Sequence, residues 1–217
     1  MSSKSPELIM NAYFPTLVFQ VNVPEPEALN KDLLKLIYQD RENDSKGVNR
    51  SNVASLGGWH SQIRLHKDKA YAPLVREINS AGRKISKKLG FAKDHALKIG
   101  SMWSIINPPG GMNIAHVHPG CMWSGVYYVQ APEKAGQISF TDPRTVNLMN
   151  QAKFMEKKKR PKECWTKVNF VPKAGKLLIF PAWLYHSVDT NATELTGDEA
   201  NRIVIAFNIN QQKIPEK

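Results

Sequence analysis

Six histidines are spread over the 217 residues, and three of them stand at positions where metal chemistry is possible. His116 and His118 flank Val117 in a stretch that reads as a strand, residues 113–118. Side chains two apart on a strand leave the same face, so both imidazoles can converge on one ion. His186 follows the turn-prone Phe180-Pro181-Ala182 and lies on a later expected strand, residues 184–189. Three nitrogen donors from two strands, with the other coordination positions open, suit a reactive Fe(II) centre better than a closed structural site.

The last expected strand, residues 202–209, has two faces of different character. Ile203, Ile205, Phe207 and Ile209 form a packing face, whereas Arg202, Val204, Ala206 and Asn208 face the other way. Small residues around one arginine describe a cavity wall that holds an anion. The guanidinium fork matches a carboxylate at two points, so Arg202 can grip a dicarboxylate whose other end chelates the metal.

These groups need a scaffold, and the chain changes character near residue 91. Before it, residues 11–23 are rich in aromatic and β-branched side chains and read as a strand. Residues 27–41 and 71–89 then place apolar side chains three and four apart: Leu29, Leu33, Leu36 and Ile37 in the first, Leu74, Ile78, Ala81 and Ile85 in the second. Each spacing draws one apolar stripe on a helix, and Gly90 is a natural stop. The Asn-, Ser- and Gly-rich residues 44–58 between them read as a loop.

After residue 91, short apolar or alternating runs are separated by Gly, Pro and Asn, at residues 97–107, 113–118, 123–130, 137–141, 166–171, 177–180, 184–189 and 202–209. This pattern predicts a mainly β protein with N-terminal helices, its core a double-stranded β-helix (a jelly roll, or cupin-like barrel). We divide the expected single domain, residues 1–217, into an N-terminal strand and bracing helices (11–92), a jelly-roll core (97–210) and a basic insertion loop (142–165).

Composition narrows the setting. No run approaches the roughly 20 apolar residues of a membrane span, and residues 1–6 lack the layout of a secretory signal, so a cytoplasmic protein is expected. Cys121 and Cys164 are too few for a disulfide framework or a four-thiolate zinc site and read as free thiols. Lys and Arg number 30 against 19 Asp and Glu, a formal charge of +11 that attracts anions without choosing among them.

The ordered set of motifs resembles a known family. His116-Val117-His118, Ser124-Gly125-Val126-Tyr127-Tyr128-Val129, Gly136-Gln137-Ile138-Ser139-Phe140, the run from Pro172 to Pro181, His186 and Arg202 are similar to the 2-oxoglutarate- and Fe(II)-dependent oxygenases. The order is like that of the prolyl 4-hydroxylase branch, and the details resemble a set of bacterial and phage oxygenases. The resemblance implies a dioxygenase, a hydroxylase in which His116, His118 and His186 hold Fe(II) and Arg202 binds 2-oxoglutarate. The cosubstrate would leave as succinate and carbon dioxide while a C–H bond is oxidised.

One departure stands out, because His118 occupies the place where most of these enzymes carry an acidic ligand. Either His118 ligates, giving three neutral donors, or it sits back and water fills the position. Tyr127 is a further candidate for cosubstrate binding, with core packing as the alternative. Asn107, beside the turn Pro108-Pro109-Gly110-Gly111, either contacts the cosubstrate or caps the turn, and Asn113 is read in the same two ways. Trp59, His60 and Ser61 either line the pocket mouth or serve a structural role with His60 at the surface, and His66 and His95 are expected in solvent.

The insertion at 142–165, with Lys157, Lys158, Lys159 and Arg160, is expected to close over the substrate or recruit an acidic one. A peptidyl or small-molecule substrate fits the resemblance, and the positive charge would suit an anionic one. Nucleic acid would suit the positive charge, but no aromatic platform accompanies the basic run. No membrane is involved, and the chain would act as a monomer or homodimer. Two rivals stay open: a three-histidine cupin-type dioxygenase that uses no 2-oxoglutarate, and a non-catalytic jelly-roll binding module.

Overall fold

A computed structural model describes residues 7–48, 58–144, 149, 152–155 and 160–215. In chain order the elements are β1 (Phe19–Asn22), α1 (Pro26–Asn43), β2 (Trp59–His60), α2 (Ala72–Leu89), β3 (His95–Asn107), β4 (Asn113–His116), β5 (Trp123–Gln130), β6 (Ile138–Thr141), β7 (Lys167–Phe170), β8 (Lys176–Pro181), β9 (His186–Val188) and β10 (Arg202–Lys213). The strands form two antiparallel sheets, ordered β1-β8-β5-β10-β3-β2 and β4-β9-β6-β7. The fold is mainly β with helices near the N-terminus, in the jelly-roll class expected from the spacing of the short runs.

Period-2 alternation splits the larger sheet into two faces with different tasks. Tyr127, Leu177, Ile179, Ile203, Ile205, Phe207 and Ile209 point to an outer core that also holds Leu33 and Ile37 of α1 and Leu74, Ile78 and Ile85 of α2. The helices therefore cover this face with the stripes read from the sequence. Pro26 sits in the first turn of α1, where its missing N–H has no helical partner to lose, and Gly90 ends α2 with φ 70°, a conformation that costs glycine little. The opposite face carries Trp103, Ile105, Val126, Tyr128, Leu178, Phe180 and Val204, which pack against Ile138 and Phe140 of the smaller sheet.

Three expectations need correction. The strand read over residues 11–23 is confined to Phe19–Asn22; upstream, Tyr13 and Phe14 are 72% and 91% exposed and pair with nothing in a sheet. Their apolar character alone mimicked a strand. Trp59–His60 pairs with Ile105 and Ile106 of β3, adding an edge strand where a loop was expected to lead into a helix. Two residues are too few for periodicity to register. The last strand runs on to Lys213, pairing with β3 as far as His95. Part of the 44–58 loop falls outside the described residues. Among the described residues no helix is long and apolar enough to cross a membrane.

Tyr127 links the helical layer to the sheet. Its hydroxyl donates to Asn30 Oδ1 of α1 at 2.6 Å, and burial pushes the phenol up to about 12, so it is a neutral donor at physiological pH. Tyr127→Phe leaves the buried Asn30 oxygen without that donor and should lower unfolding free energy by about 1–2 kcal/mol in urea titrations. An unchanged midpoint would contradict this role.

Candidate metal centre and anion pocket

Between the two sheets lies a cavity of about 420 Å³. His116, His118 and His186 line it together with Arg202, Tyr128 and Asn113. Four of the six predicted site residues that the sequence scattered over the β region therefore reach this cavity or its wall, and two do not.

The histidines meet because β4 and β9 are antiparallel neighbours and His116 sits directly opposite His186 in register. Their ring centroids are 4.3 Å apart. His118 lies just beyond the end of β4, where its backbone N–H donates to Ala182 O at 2.9 Å and holds the turn against the loop that precedes His186. The donor nitrogens of all three rings lie within 4.8 Å of one another, a cluster that could hold a metal ion.

Tautomers follow from the neighbours. His116 Nδ1 is 2.7 Å from Ile114 O and His186 Nδ1 is 2.8 Å from Leu184 O. A carbonyl only accepts, so both Nδ1 atoms carry the proton, and in each ring Nε2 is the nitrogen with the lone pair that a metal would use. Burial lowers all three pKa values, His118 to about 4 and His186 to about 3, with the charge of His116 adding to the effect on both. The rings are thus neutral near pH 7, the form in which imidazole ligates metals. Phe180 packs edge-on against His186 at 4.8 Å, and Trp103 is 6.1 Å from His118.

At one end of the cavity Arg202 is 1% exposed. Its Nη1 donates to the carbonyls of Ala135 and, at 2.9 Å, of Asp189. Nη2 has no hydrogen-bond partner, and among the described residues Arg202 belongs to no ion pair. Burial draws its pKa down to about 10, with nearby Tyr128 and Asp189 acting in the opposite sense, so the guanidinium remains charged. A buried cation without a carboxylate is costly unless an anion completes the site. Gly136 makes room for this arrangement: with φ 84°, a Cβ there would stand 2.7 Å from Arg202 Nη1 and 2.2 Å from Asp189 O.

Tyr127 and Asn107 are placed differently from the expectation that they bind a cofactor. Tyr127 faces the outer core, and its neighbour Tyr128 lines the cavity beside Arg202. The motif contains two adjacent tyrosines, and the face choice depends on register: Tyr128, not Tyr127, stands opposite Val204 of the cavity face of β10. Asn107 does not line the cavity; its Nδ2 donates to Asn113 Oδ1 at 2.9 Å and its carbonyl accepts from Asn191 Nδ2 at 3.0 Å. It positions Asn113, which does line the cavity.

His60 also lines the cavity, 6% exposed and stacked on Trp103 at 5.7 Å, with Nδ1 2.7 Å from Ser61 O. Of the two readings of Trp59-His60-Ser61, pocket lining holds for His60, and a structural role holds for Trp59, whose Nε1 donates to Asp44 O. His66 and His95 are half-buried rather than in solvent. In the basic insertion, Arg160 stacks over Phe154 at 4.2 Å and its carbonyl accepts from Trp165 Nε1; Lys157, Lys158 and Lys159 lie outside the described residues.

A sequence model of the family described as "Putative 2OG-Fe(II) oxygenase" matches residues 101–208. No curated protein sequence matches the chain. Among solved structures, the chain is similar to a prolyl-4-hydroxylase from Pseudomonas putida, with 14% identity over 93% of this chain and 94% of that one and a TM-score of 0.61. It is also similar to the non-heme alpha-ketoglutarate-dependent carbocyclase SnoK of nogalamycin biosynthesis, with 11% identity over 92% and 83% of the two chains and a TM-score of 0.64. HygX of Streptomyces hygroscopicus, solved with nickel and 2-oxoglutarate bound, gives 11% identity over 89% and 82% and a TM-score of 0.53. At such identities the structural likeness speaks for the fold. The sequence match, which spans all three histidines and the arginine, speaks for the lineage: the chain belongs to the 2-oxoglutarate- and Fe(II)-dependent oxygenases, and it is a 2-oxoglutarate-dependent dioxygenase.

Proposed function

We propose that His116, His118 and His186 bind the Fe(II) ion through Nε2 and that Arg202 pairs with the distal carboxylate of 2-oxoglutarate, in an enzyme that hydroxylates a peptidyl side chain or a small metabolite. The observation that carries this reading is the buried guanidinium with an unpartnered Nη2 in the same cavity as three neutral, converging imidazoles. A cupin-type site working without a cosubstrate would leave that guanidinium without a purpose. When bound, iron and 2-oxoglutarate supply the oxidising chemistry: with dioxygen, the cosubstrate becomes succinate and carbon dioxide as a substrate C–H becomes C–OH.

The residues of the chain prepare this chemistry. The carbonyls of Ile114 and Leu184 hold two imidazole rings in the ligating tautomer, so little reorganisation is needed when the metal enters. Three uncharged donors leave the full double charge of the ion to meet a dianionic cosubstrate, where a carboxylate ligand would cancel part of it. Arg202 adds a second anchor, oriented by the carbonyls of Ala135 and Asp189. Asn107 engages Asn113 Oδ1, which leaves the Asn113 amide protons to donate. Phe180 and Trp103 narrow the space around the rings and limit water. A cytoplasmic setting accords with the two free thiols, Cys121 and Cys164.

Anaerobic addition of Fe(II) and 2-oxoglutarate should give the visible charge-transfer band of the chelate, and aerobic incubation should release succinate. Arg202→Ala should weaken 2-oxoglutarate binding by about 10–100-fold, the range for losing hydrogen bonds to a charged group; equal affinity in wild type and variant would sink the assignment. Gly136→Ala, which crowds Arg202, should raise the dissociation constant for 2-oxoglutarate by roughly tenfold in calorimetric titrations. Its affinity for the metal alone should stay the same.

A further inference from the structure

The floor of the cavity is built in rows across three strands. Along β10 the cavity face carries Arg202, Val204, Ala206 and Asn208, each pair about 6.8 Å apart by strand geometry, so Asn208 lies about 20 Å from Arg202 along the backbone. The row at Ala206 is apolar, with Trp103 opposite on β3 and Val126 opposite on β5. The row at Asn208 is polar throughout: Ser101 stands opposite on β3 and Ser124 opposite on β5. All three line the cavity.

This polar row is incompletely satisfied. Asn208 Oδ1 is buried and finds no hydrogen-bond partner. Ser124 Oγ donates to Phe207 O at a long 3.4 Å, which leaves its oxygen available as an acceptor. Among the described residues no acidic or lysine side chain lines the cavity, and Arg202, at the far end, is the one permanently charged residue that does. The cavity wall also includes Ile63 and Val117, which are 39% and 38% exposed and mark an opening to solvent.

We infer that the Ser101–Asn208–Ser124 row is the substrate subsite and that it recognises a neutral amide, whose N–H meets Asn208 Oδ1 and whose C=O meets its Nδ2. The inference rests on the assignment of the Arg202 end to 2-oxoglutarate. A carboxylate or ammonium group entering the polar end would be desolvated with no counter-charge, which costs several kcal/mol, whereas an amide matches the carboxamide at two points. The cavity volume is at the low end of the roughly 300–1,000 Å³ of small-molecule sites, and the cosubstrate takes part of it. The remainder suits one amide-bearing residue presented from outside. A peptide bond and a side-chain carboxamide share this chemistry.

The test uses the full chain loaded with redox-inert Zn(II), with and without 2-oxoglutarate, and follows four probes by saturation-transfer NMR: N-methylacetamide, propanamide, propanoate and propylammonium. With 2-oxoglutarate occupying the Arg202 end, an amide should bind and the two charged probes should not; preference for N-methylacetamide assigns the site to a backbone peptide, and preference for propanamide to a side-chain carboxamide. Asn208→Leu should weaken amide binding about tenfold, the effect of one or two neutral hydrogen bonds. Asn208→Asp, equal in shape, should turn the preference to propylammonium, which a purely structural asparagine would not do. In the presence of saturating 2-oxoglutarate, charged probes binding as well as amides, no detectable amide binding, or indifference to both substitutions would overturn the subsite. Calorimetric titration of 2-oxoglutarate into the same samples keeps the two readings apart: amide binding without Arg202-dependent cosubstrate binding would sink the cofactor assignment and leave the amide site standing.

Discussion

A guanidinium sealed between two β-sheets and, among the described residues, engaged in no ion pair is the constraint on which the rest of this molecule turns. Arg202 keeps its charge although it is almost wholly buried: two backbone carbonyls accept from its Nη1, its Nη2 is unpartnered, and the residue lines the cavity. Such a group is tolerated where an anion completes it. The sheet pays for this arrangement in backbone freedom at Gly136, where a side chain of any size would collide with the arginine or with the Asp189 carbonyl.

The two sheets divide the work. The larger one is stiffened from behind by α1 and α2, whose apolar stripes close its outer face, and its inner face provides the cavity floor with the arginine. The smaller sheet provides the imidazoles, and it does so by register: His116 and His186 are opposite one another across β4 and β9, with His118 held by the Ala182 carbonyl. With the proposed metal ligands on one sheet and the proposed anion anchor on the other, the separation of the sheets would determine cosubstrate fit. That separation is set by the packing of Phe140 and Phe180 against His186, in the second core.

The neutral histidine in place of an acidic ligand belongs to the same electrostatic scheme. With no carboxylate among the proposed metal ligands and, among the described residues, none ion-paired with Arg202, the cavity would suit a dianion, and its polar far end carries no formal charge among the residues that line it. Among the described residues, the strongly basic character of the chain does not continue into the cavity, whose lining away from Arg202 offers neutral hydrogen-bonding groups.

Much of the site was legible in advance because it obeys short-range rules. Alternation on a strand dictated that Arg202, Val204, Ala206 and Asn208 share a face, and helical spacing dictated the stripes of α1 and α2; His118, expected on one strand with His116, instead lies past the end of β4 and is held there by its bond to the Ala182 carbonyl. Whatever depends on which residue of one strand stands beside which residue of another was decided only on folding. Tyr127 and Tyr128 are chemically alike, and pairing with β10 sends one to the helices and the other to the cavity. Asn107 became a support for Asn113 through a contact made across a turn, and His60 entered the cavity from an edge strand of two residues. Chain order supplies the period of each element; phase between elements comes from packing, since a shift of one residue exchanges every inward side chain for an outward one.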